Sequence, residues 1–156
     1  MIVDPHLSQA RFDRDVAPLR RDGSSYAKTG LKMLDIAFPC LDVALQWITI
    51  GREIVVHVQA DDYDYRPVRG WWIDASGDPL CIGMSGIPVG CGFQANANPY
   101  GEQKAWFCFP GWREYHDHPG HQDRPWPSLR HDRQYGILGL LMQLKADLNK
   151  PGVQVQ

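Results

Sequence analysis

The stretch Glu53-Ile-Val-Val-His-Val-Gln59 decides the fold class, because its aliphatic residues alternate with the two-residue period of a β-strand. A second, aromatic strand is predicted at Gly70–Asp74, after a loop that contains Pro67. Upstream, Leu34–Trp47 alternates in part, and Gly51-Arg52 separates it from the first stretch, which predicts an antiparallel hairpin. The middle of the chain is therefore expected to form consecutive antiparallel strands.

Helices are predicted on both sides of these strands. From Ser8 to Val16 the apolar residues fall at helical spacings, and Pro18 is expected to end or kink this helix. Tyr135–Asn149 places its leucines at helical spacing, and Pro151 follows. The sequence thus predicts an α+β protein, with an antiparallel β-meander flanked by an N-terminal helix and a C-terminal helix.

The remaining segments have little periodicity. Residues 75–104 are rich in glycine, proline and asparagine, so a long irregular connection is expected there, more mobile than the strands. The tail Val153–Gln156 is expected to be frayed. Residues 1–156 are predicted to form a single domain whose core extends from about residue 8 to about residue 150.

Composition limits the classes of protein that fit. The 44% hydrophobic residues, 22% charged residues and formal net charge of −2 are typical of a globular protein and favour no nucleic-acid partner. Asp4 and Pro5 precede any apolar stretch, so neither a signal peptide nor a membrane helix is expected. A cytoplasmic protein with no membrane partner and with reduced thiols is predicted.

Three segments resemble the ubiquitin-conjugating enzyme superfamily. The run Ile54-Val-Val-His-Val-Gln-Ala-Asp-Asp-Tyr-Asp-Tyr-Arg-Pro-Val-Arg-Gly-Trp-Trp-Ile73 is similar to that family's strand, proline-containing loop and aromatic strand. Trp106-Phe-Cys-Phe-Pro110 resembles the apolar stretch around its catalytic cysteine, and Arg124-Pro-Trp-Pro127 resembles the Trp-x-Pro element before its long helix. The resemblance extends from about Leu34 to about Leu148, and it fits best with divergent bacterial members, the prokaryotic ubiquitin-conjugating-like family.

This resemblance implies a ubiquitin-conjugating-type transferase. Cys108 would accept a ubiquitin-like protein from an activating enzyme as a thioester and pass it to an amine of a protein substrate, with no cofactor required. His116 or His118 would help to deprotonate that amine, since imidazole has a suitable pKa. The family's His-Pro-Asn tripeptide is missing from the sequence. Asn98 is a nearby substitute for its asparagine, although Asn-Pro in a glycine-rich loop is by default a turn.

The residues around Cys108 support two interpretations. A free thiol has a pKa of roughly 8.5, and cations such as Arg113 and the nearby histidines would lower it and activate the sulfur. Alternatively, Cys108 is a buried apolar residue, because Phe107 and Phe109 flank it. Pro110-Gly111 ends any strand directly after it, which favours a position near a loop. Burial or incidental exposure is expected for the other three cysteines, Cys40, Cys81 and Cys91.

The segment His116-Asp-His-Pro-Gly-His121 holds three of the six histidines. Imidazole together with thiolate is an ordinary zinc first shell, and Cys108, His116, His118 and His121 would supply four ligands. The main alternative is therefore a non-catalytic zinc-binding domain of the same fold. A polar loop with hydrogen-bonded histidines, or a catalytically inactive interaction module, also fits this composition.

Overall fold

A computed structural model describes residues 3–156. The helices are α1 (Pro5–Arg21), α2 (Gly23–Lys28), α3 (Arg113–His116), α4 (Trp126–Leu129) and α5 (Ile137–Leu148). The strands are β1 (Leu31–Ala37), β2 (Cys40–Trp47), β3 (Arg52–Gln59), β4 (Arg69–Ile73), β5 (Pro88–Val89) and β6 (Gln154–Val155). Two single turns of 3-10 helix lie at Ile48–Ile50 and Arg133–Tyr135. The predicted α+β class, with an antiparallel meander between N-terminal and C-terminal helices, is confirmed.

The four strands β1 to β4 form one antiparallel sheet in chain order. The alternation in β3 separates the two faces of this sheet, since Val56 is fully buried and His57 is only partly so. Val56 lies opposite Val43 of β2 and Trp72 of β4, which makes a continuous apolar inner face. On the outer face, His57 Nδ1 lies 2.6 Å from Asp42 Oδ1.

Helix α5 packs against β1 and β2 of the sheet, and α1 packs against α5. Their buried residues join the sheet residues in one hydrophobic core, to which α1 contributes Phe12, Val16 and Leu19 and α5 contributes Ile137, Leu140, Leu141, Leu144 and Leu148. The helix predicted at Tyr135–Asn149 is therefore confirmed, with slightly shorter bounds. Within residues 3–156, no helix is both long enough and apolar enough to cross a membrane.

Helix α1 is longer than the sequence predicts. At its N-terminus the side chain of Asp4 accepts a hydrogen bond from His6 N at 2.9 Å. The sequence predicts an end or a kink at Pro18. The helix continues through Pro18 as far as Arg21, so Pro18 does not end it. Leu19 is fully buried in the core. This packing holds the last turn in place although Pro18 has no N–H to donate.

The segment Leu34–Trp47 forms parts of two strands rather than one. Phe38-Pro39 makes a tight turn between β1 and β2, and Pro39 O accepts a hydrogen bond from Ala60 N at 2.7 Å. The prediction of a single strand here is therefore wrong. The turn is missed because one Phe-Pro pair inside a strand-forming run gives only a weak turn signal. The hairpin predicted around Gly51-Arg52 is confirmed as β2 paired with β3.

Residues 75–104 are largely irregular, as predicted, and the two-residue strand β5 lies among them. The tail is not frayed, because β6 pairs with β5 through Val155 opposite Pro88 and Gln154 opposite Val89. Val153 is buried in the core. The prediction of a frayed tail is therefore wrong. The partner of β6, strand β5, lies far upstream, so the tail itself carries no local signal of the pairing.

Candidate functional site around Cys108

Cys108 lies between β5 and α3 in the chain, directly after a residue that anchors this stretch to the core. The ring of Phe107 is fully buried, with its centroid 5.3 Å from that of Trp72 and 4.8 Å from that of Trp112. The backbone N of Cys108 donates to Gly92 O at 2.9 Å. Cys108 is a free cysteine and the residue is half-buried. The structure therefore does not enclose Cys108 fully in the core.

The pKa of the Cys108 thiol is raised to about 11, first by burial and then by the negative charge of Glu114. The expectation that neighbouring cations lower this pKa is therefore wrong. Arg113 does not serve that purpose, because its Nε donates to Pro67 O at 2.9 Å and its Nη1 lies 3.3 Å from Asp61 Oδ2. At neutral pH Cys108 is a thiol rather than a thiolate.

Glu114, on α3, is a buried carboxyl with an incomplete set of partners. Its side chain is 1% exposed, and Oε1 accepts from Arg69 Nε at 3.2 Å and from Gly70 N at 3.4 Å. The other oxygen, Oε2, is buried and has no hydrogen-bond partner among residues 3–156. Burial raises the pKa of Glu114 to about 7, although its own backbone N–H, Arg69 and Gly70 oppose this.

A chain of charges leads from Glu114 toward the surface through Arg69. The Nη2 atom of Arg69 lies 2.5 Å from Glu102 Oε1, and Lys104 Nζ lies 3.0 Å from Glu102 Oε2. Burial opposes ionisation of Glu102, but hydrogen bonds from Arg69, Lys104 and Asn98 lower its pKa to about 2. The guanidinium of Arg69 also lies over the Tyr100 ring, 4.4 Å from its centroid. This network fixes the position of Arg69.

Asn98 lies in the same network, and its side chain organises a turn. Its Oδ1 accepts from Tyr100 N at 3.1 Å and from Glu102 N at 3.0 Å, and its Nδ2 donates to Glu102 Oε1 at 3.2 Å. These contacts match the turn interpretation of Asn-Pro. They connect Asn98 to Glu102, so a direct role of its amide at Cys108 stays a prediction without support from these contacts.

His116 is held in its neutral form by the backbone. Gly111 N donates to His116 Nε2 at 3.0 Å, which requires that this nitrogen carry no proton. Burial is the main cause of a lowered pKa for His116, and Arg124 and His121 lower it further while Asp117 opposes them. The basic nitrogen of this imidazole is therefore already used in a hydrogen bond.

His118 and His121 lie on the loop after α3. Gly120 N donates to His118 Nδ1 at 3.1 Å, so the basic nitrogen of His118 also has a backbone donor. The ring of His121 stacks on that of Tyr115, with centroids 4.2 Å apart, and the ring centroids of His118 and His121 are 4.9 Å apart. The Oη atom of Tyr115 donates to Asp123 Oδ1 at 3.3 Å.

The geometry does not assemble the zinc site that the sequence suggests as an alternative. Across residues 3–156, no group of three or more His, Cys, Asp or Glu side chains is arranged to hold a metal ion. Cys108, His116, His118 and His121 are therefore not brought together as one set of ligands in this arrangement. Zinc binding stays an untested prediction and gains no support from the geometry.

Glu114 and Arg69 are the site residues to which the sequence analysis gives no function. Glu114 stands in Trp112-Arg-Glu-Tyr115, where two charged residues are enclosed by aromatic ones. All four of these residues are buried. Such enclosure is a usable signal, because a charge buried among aromatic residues needs a partner and shifts its pKa.

Comparison with known proteins finds a distant relative whose name states no activity. No model of a known protein family matches the chain. An uncharacterized protein of Sinorhizobium fredii, y4jH, is 24% identical over 153 residues, a match that covers 80% of this chain and 73% of that protein. This likeness names no activity, so functional proposals for the chain rest on its own residues.

Proposed function

We propose that the chain is a ubiquitin-conjugating-type transferase that carries a ubiquitin-like protein as a thioester on Cys108 and passes it to an amine. The observation that supports this most is the setting of Cys108. The free, half-buried Cys108 follows a fully buried phenylalanine, on the chain between a four-stranded antiparallel meander and α5. This order of elements supports the proposal.

The proposed chemistry is an exchange of one thioester for another, followed by aminolysis. The Cys108 thiol loses its proton as its sulfur attacks the activated carbonyl and the new S–C bond forms, and the activating enzyme's sulfur leaves with the electron pair of the broken bond and takes up a proton. An amine then attacks the same carbonyl and the C–N bond forms. The Cys108 sulfur leaves with the electron pair of the S–C bond, and the proton that the amine loses restores the thiol. A thiol with a raised pKa is a poor leaving group, so the loaded state should last until an amine arrives.

Neither candidate histidine offers a free basic nitrogen in this structure. His116 would have to give up its hydrogen bond from Gly111, and His118 its bond from Gly120, before either could accept a proton from the amine. The role proposed for these residues therefore requires a local rearrangement of the loop when the partner protein binds.

The test is formation of a covalent adduct. Incubation with a candidate activating enzyme, ATP and a ubiquitin-like protein should give an adduct that thiols cleave. Cys108→Ser should abolish this adduct or replace it with a thiol-resistant ester, because a hydroxyl is a poorer nucleophile and its ester is more stable. Cys40→Ser, Cys81→Ser and Cys91→Ser are matched controls and should each keep the adduct. A thiol-sensitive adduct in Cys108→Ser would overturn the proposal.

Elemental analysis tests the zinc-binding alternative directly. Purified protein should contain well under one zinc per chain, because a zinc-bound thiolate is not free to form a thioester. Stoichiometric zinc that is lost in His118→Ala would favour the alternative and remove the proposed transferase chemistry.

A further inference from the structure

Four arginines line an open pocket between α1 and the segment that leads into α5. Arg11 and Arg14 lie on α1, while Arg130 and Arg133 lie shortly before α5. The pocket has a volume of about 710 Å³, which is a typical size for a small-molecule site. The chain as a whole has a formal net charge of −2, so this concentration of cations is a local feature. No residue of the pocket takes part in the transfer chemistry proposed above.

Three of these arginines share one buried carboxylate. Asp64 is 5% exposed, and its Oδ1 lies 3.1 Å from Arg11 Nη1 and 2.9 Å from Arg130 Nη2. Its Oδ2 lies 3.9 Å from Arg14 Nη2. Arg130 also has a buried Nε without an acceptor among residues 3–156. A single negative charge therefore balances the three guanidinium groups only in part.

The other two aspartates of the pocket already have partners. Asp15 accepts hydrogen bonds from Arg14 Nε at 3.0 Å and from the hydroxyl of Tyr63. Asp132 is exposed, and its Oδ1 accepts from Gln134 N at 2.9 Å. Four arginines against three aspartates leave a net charge of +1 in the pocket when histidine is counted as neutral. A bound anion would supply the missing negative charge.

Arg133 differs from the other three arginines because its charge has no partner. It is exposed and forms no ion pair with any residue in the range 3–156, whereas the others contact Asp15 or Asp64. A side chain at Gly139 would meet Arg133 O at 2.5 Å, so the turn that carries Arg133 lies directly against the first turn of α5. The pocket therefore holds a guanidinium group that is free to contact a ligand.

The pocket also has an apolar side. Leu138 and Met142 of α5 and Pro18 of α1 line it, and Met142 is 50% exposed. Apolar walls together with a few charged groups that fix the orientation of a ligand are the usual composition of a small-molecule site. A phosphate ester matches both sides, because its terminal oxygens pair with guanidinium groups and its organic part can cover apolar side chains.

We propose that this arginine pocket binds the phosphate group of a small phosphorylated organic molecule. Arg14 and Arg133, the two exposed arginines of the pocket, hold the phosphate oxygens, and the organic part of the ligand contacts Leu138 and Met142. Arg11 and Arg130 stay paired with Asp64 and contribute positive charge. The site does not depend on the transferase function proposed above, and it would remain if that function were wrong.

Titration of isotope-labelled protein with phenyl phosphate tests the site, with amide chemical shifts in NMR spectra as the readout. At constant ionic strength the amides of Arg133, Leu138 and Gly139 should shift, with a dissociation constant of about 1 mM or below. Unchanged amides at these positions up to about 10 mM phenyl phosphate would overturn the proposal.

Three related probes separate the two parts of the ligand. Phenol lacks the phosphate and should leave these amides unchanged. Inorganic phosphate lacks the apolar part and should bind more weakly than phenyl phosphate. Benzoate carries a single charge and should also bind more weakly. Equal affinity for inorganic phosphate would overturn the role of the apolar side, and equal affinity for benzoate would overturn the assignment to phosphate.

Arg133→Ala should weaken the binding of phenyl phosphate about tenfold, because it removes a charged donor to the phosphate. The fold should be unaffected, since Arg133 is exposed and has no ion pair within residues 3–156. Arg20→Ala is the matched control, because Arg20 is an exposed arginine of α1 that does not line the pocket. It should leave the affinity unchanged. Equal weakening in the two variants would show non-specific attraction and overturn the proposal.

Asp132→Asn should act in the opposite direction. It removes a negative charge from the pocket, while the asparagine side chain can still accept the hydrogen bond from Gln134 N. The affinity for phenyl phosphate should therefore rise about threefold. Unchanged or weaker binding in this variant would contradict the proposal that the net charge of the pocket attracts the ligand.

Discussion

The sheet and the Cys108 segment are built from different kinds of contact. In the sheet, Val43 and Val56 face each other across β2 and β3 at a regular register, and every second side chain of β3 from Ile54 to Val58 is buried. Around Cys108, the chain is irregular and is held by the buried ring of Phe107 and the buried carboxyl of Glu114. The sheet can therefore be predicted from the two-residue alternation within its strands, whereas the site depends on residues that are distant in sequence.

Phe107→Ala should cause the largest effect, because it removes the anchor that joins the two regions. Loss of a fully buried phenylalanine should lower the free energy of unfolding by about 4 kcal/mol. It should also speed alkylation of Cys108, because the thiol loses part of its burial. Urea unfolding and the iodoacetamide rate at pH 8.5 measure the two effects.

Leu45→Ala in β2 is the matched control for this comparison. Leu45 is fully buried on the inner face of the sheet, and its loss should lower the free energy of unfolding by about 3 kcal/mol. The native alkylation rate of Cys108 should stay the same. If Leu45→Ala changed this rate as much as Phe107→Ala, the two regions would not be separable.

Arg69→Ala should have the next largest effect. It removes the cation that contacts Glu114 and leaves the carboxyl with the Gly70 N–H, so the free energy of unfolding should fall by about 3 kcal/mol at pH 8. Arg66→Ala is the control, because Arg66 is half exposed and lies 3.8 Å and 3.9 Å from Asp61 and Asp62. Its loss should be below about 1 kcal/mol. If Arg69→Ala and Arg66→Ala lowered the free energy of unfolding equally in urea, the buried Arg69–Glu114 pair would be no more important than the exposed pair.

Glu114 and His116 on α3 should change the free energy of unfolding in opposite directions as pH rises. The pKa of Glu114 is raised to about 7 in the folded chain, so this group stabilises the fold fully below about pH 4.5, and that contribution is lost as pH rises through 7. The total loss from Glu114 is about 3 kcal/mol. The pKa of His116 is lowered, so its contribution is present above about pH 6.5 and is lost as pH falls.

Urea unfolding at pH 4.5, 6 and 8 measures these opposing effects. The difference in the free energy of unfolding between the parent chain and Glu114→Gln should change between pH 4.5 and pH 8 in the direction that favours the parent at low pH. A difference that is constant across this range would show that Glu114 does not titrate there. His116→Gln should instead remove the loss that occurs as pH falls below about 6.5.

The sequence predicts those parts of the fold whose apolar residues recur at a regular spacing within the segment itself. The strand Glu53–Gln59, the strand near Gly70 and the helix near Tyr135–Asn149 all have local patterns, and each is confirmed. The sequence predicts neither the turn at Phe38-Pro39, whose local signal is weak, nor the strand β6, whose partner strand lies far upstream.

The same limit applies to the candidate site. Cys108 is a natural candidate from its residue type and its apolar neighbours, but the direction of its pKa shift is not predictable from the sequence. That shift depends on burial and on Glu114, whereas the nearby Arg113 is directed to Pro67 and Asp61 by folding. Because Arg113 is close to Cys108 in sequence, a lowered pKa is expected for the thiol. In the structure Arg113 binds elsewhere, and the pKa of Cys108 is raised.

Hydrogen exchange should show the smallest effect, a difference in local protection without any change of residue. Amides of β2 and β3 are paired on both sides in the middle of the sheet and should exchange near the global unfolding rate. Residues 75–104 should be less protected on average, since β5 is a two-residue strand and most of the segment is irregular. Isolated bonds such as Ile82 N to Gln103 O and Gly90 N to Phe93 O should give local exceptions. Strong and uniform protection across residues 75–104 would mean that this segment is as firmly held as the sheet, and the contrast between the two regions would then concern their regularity rather than their stability.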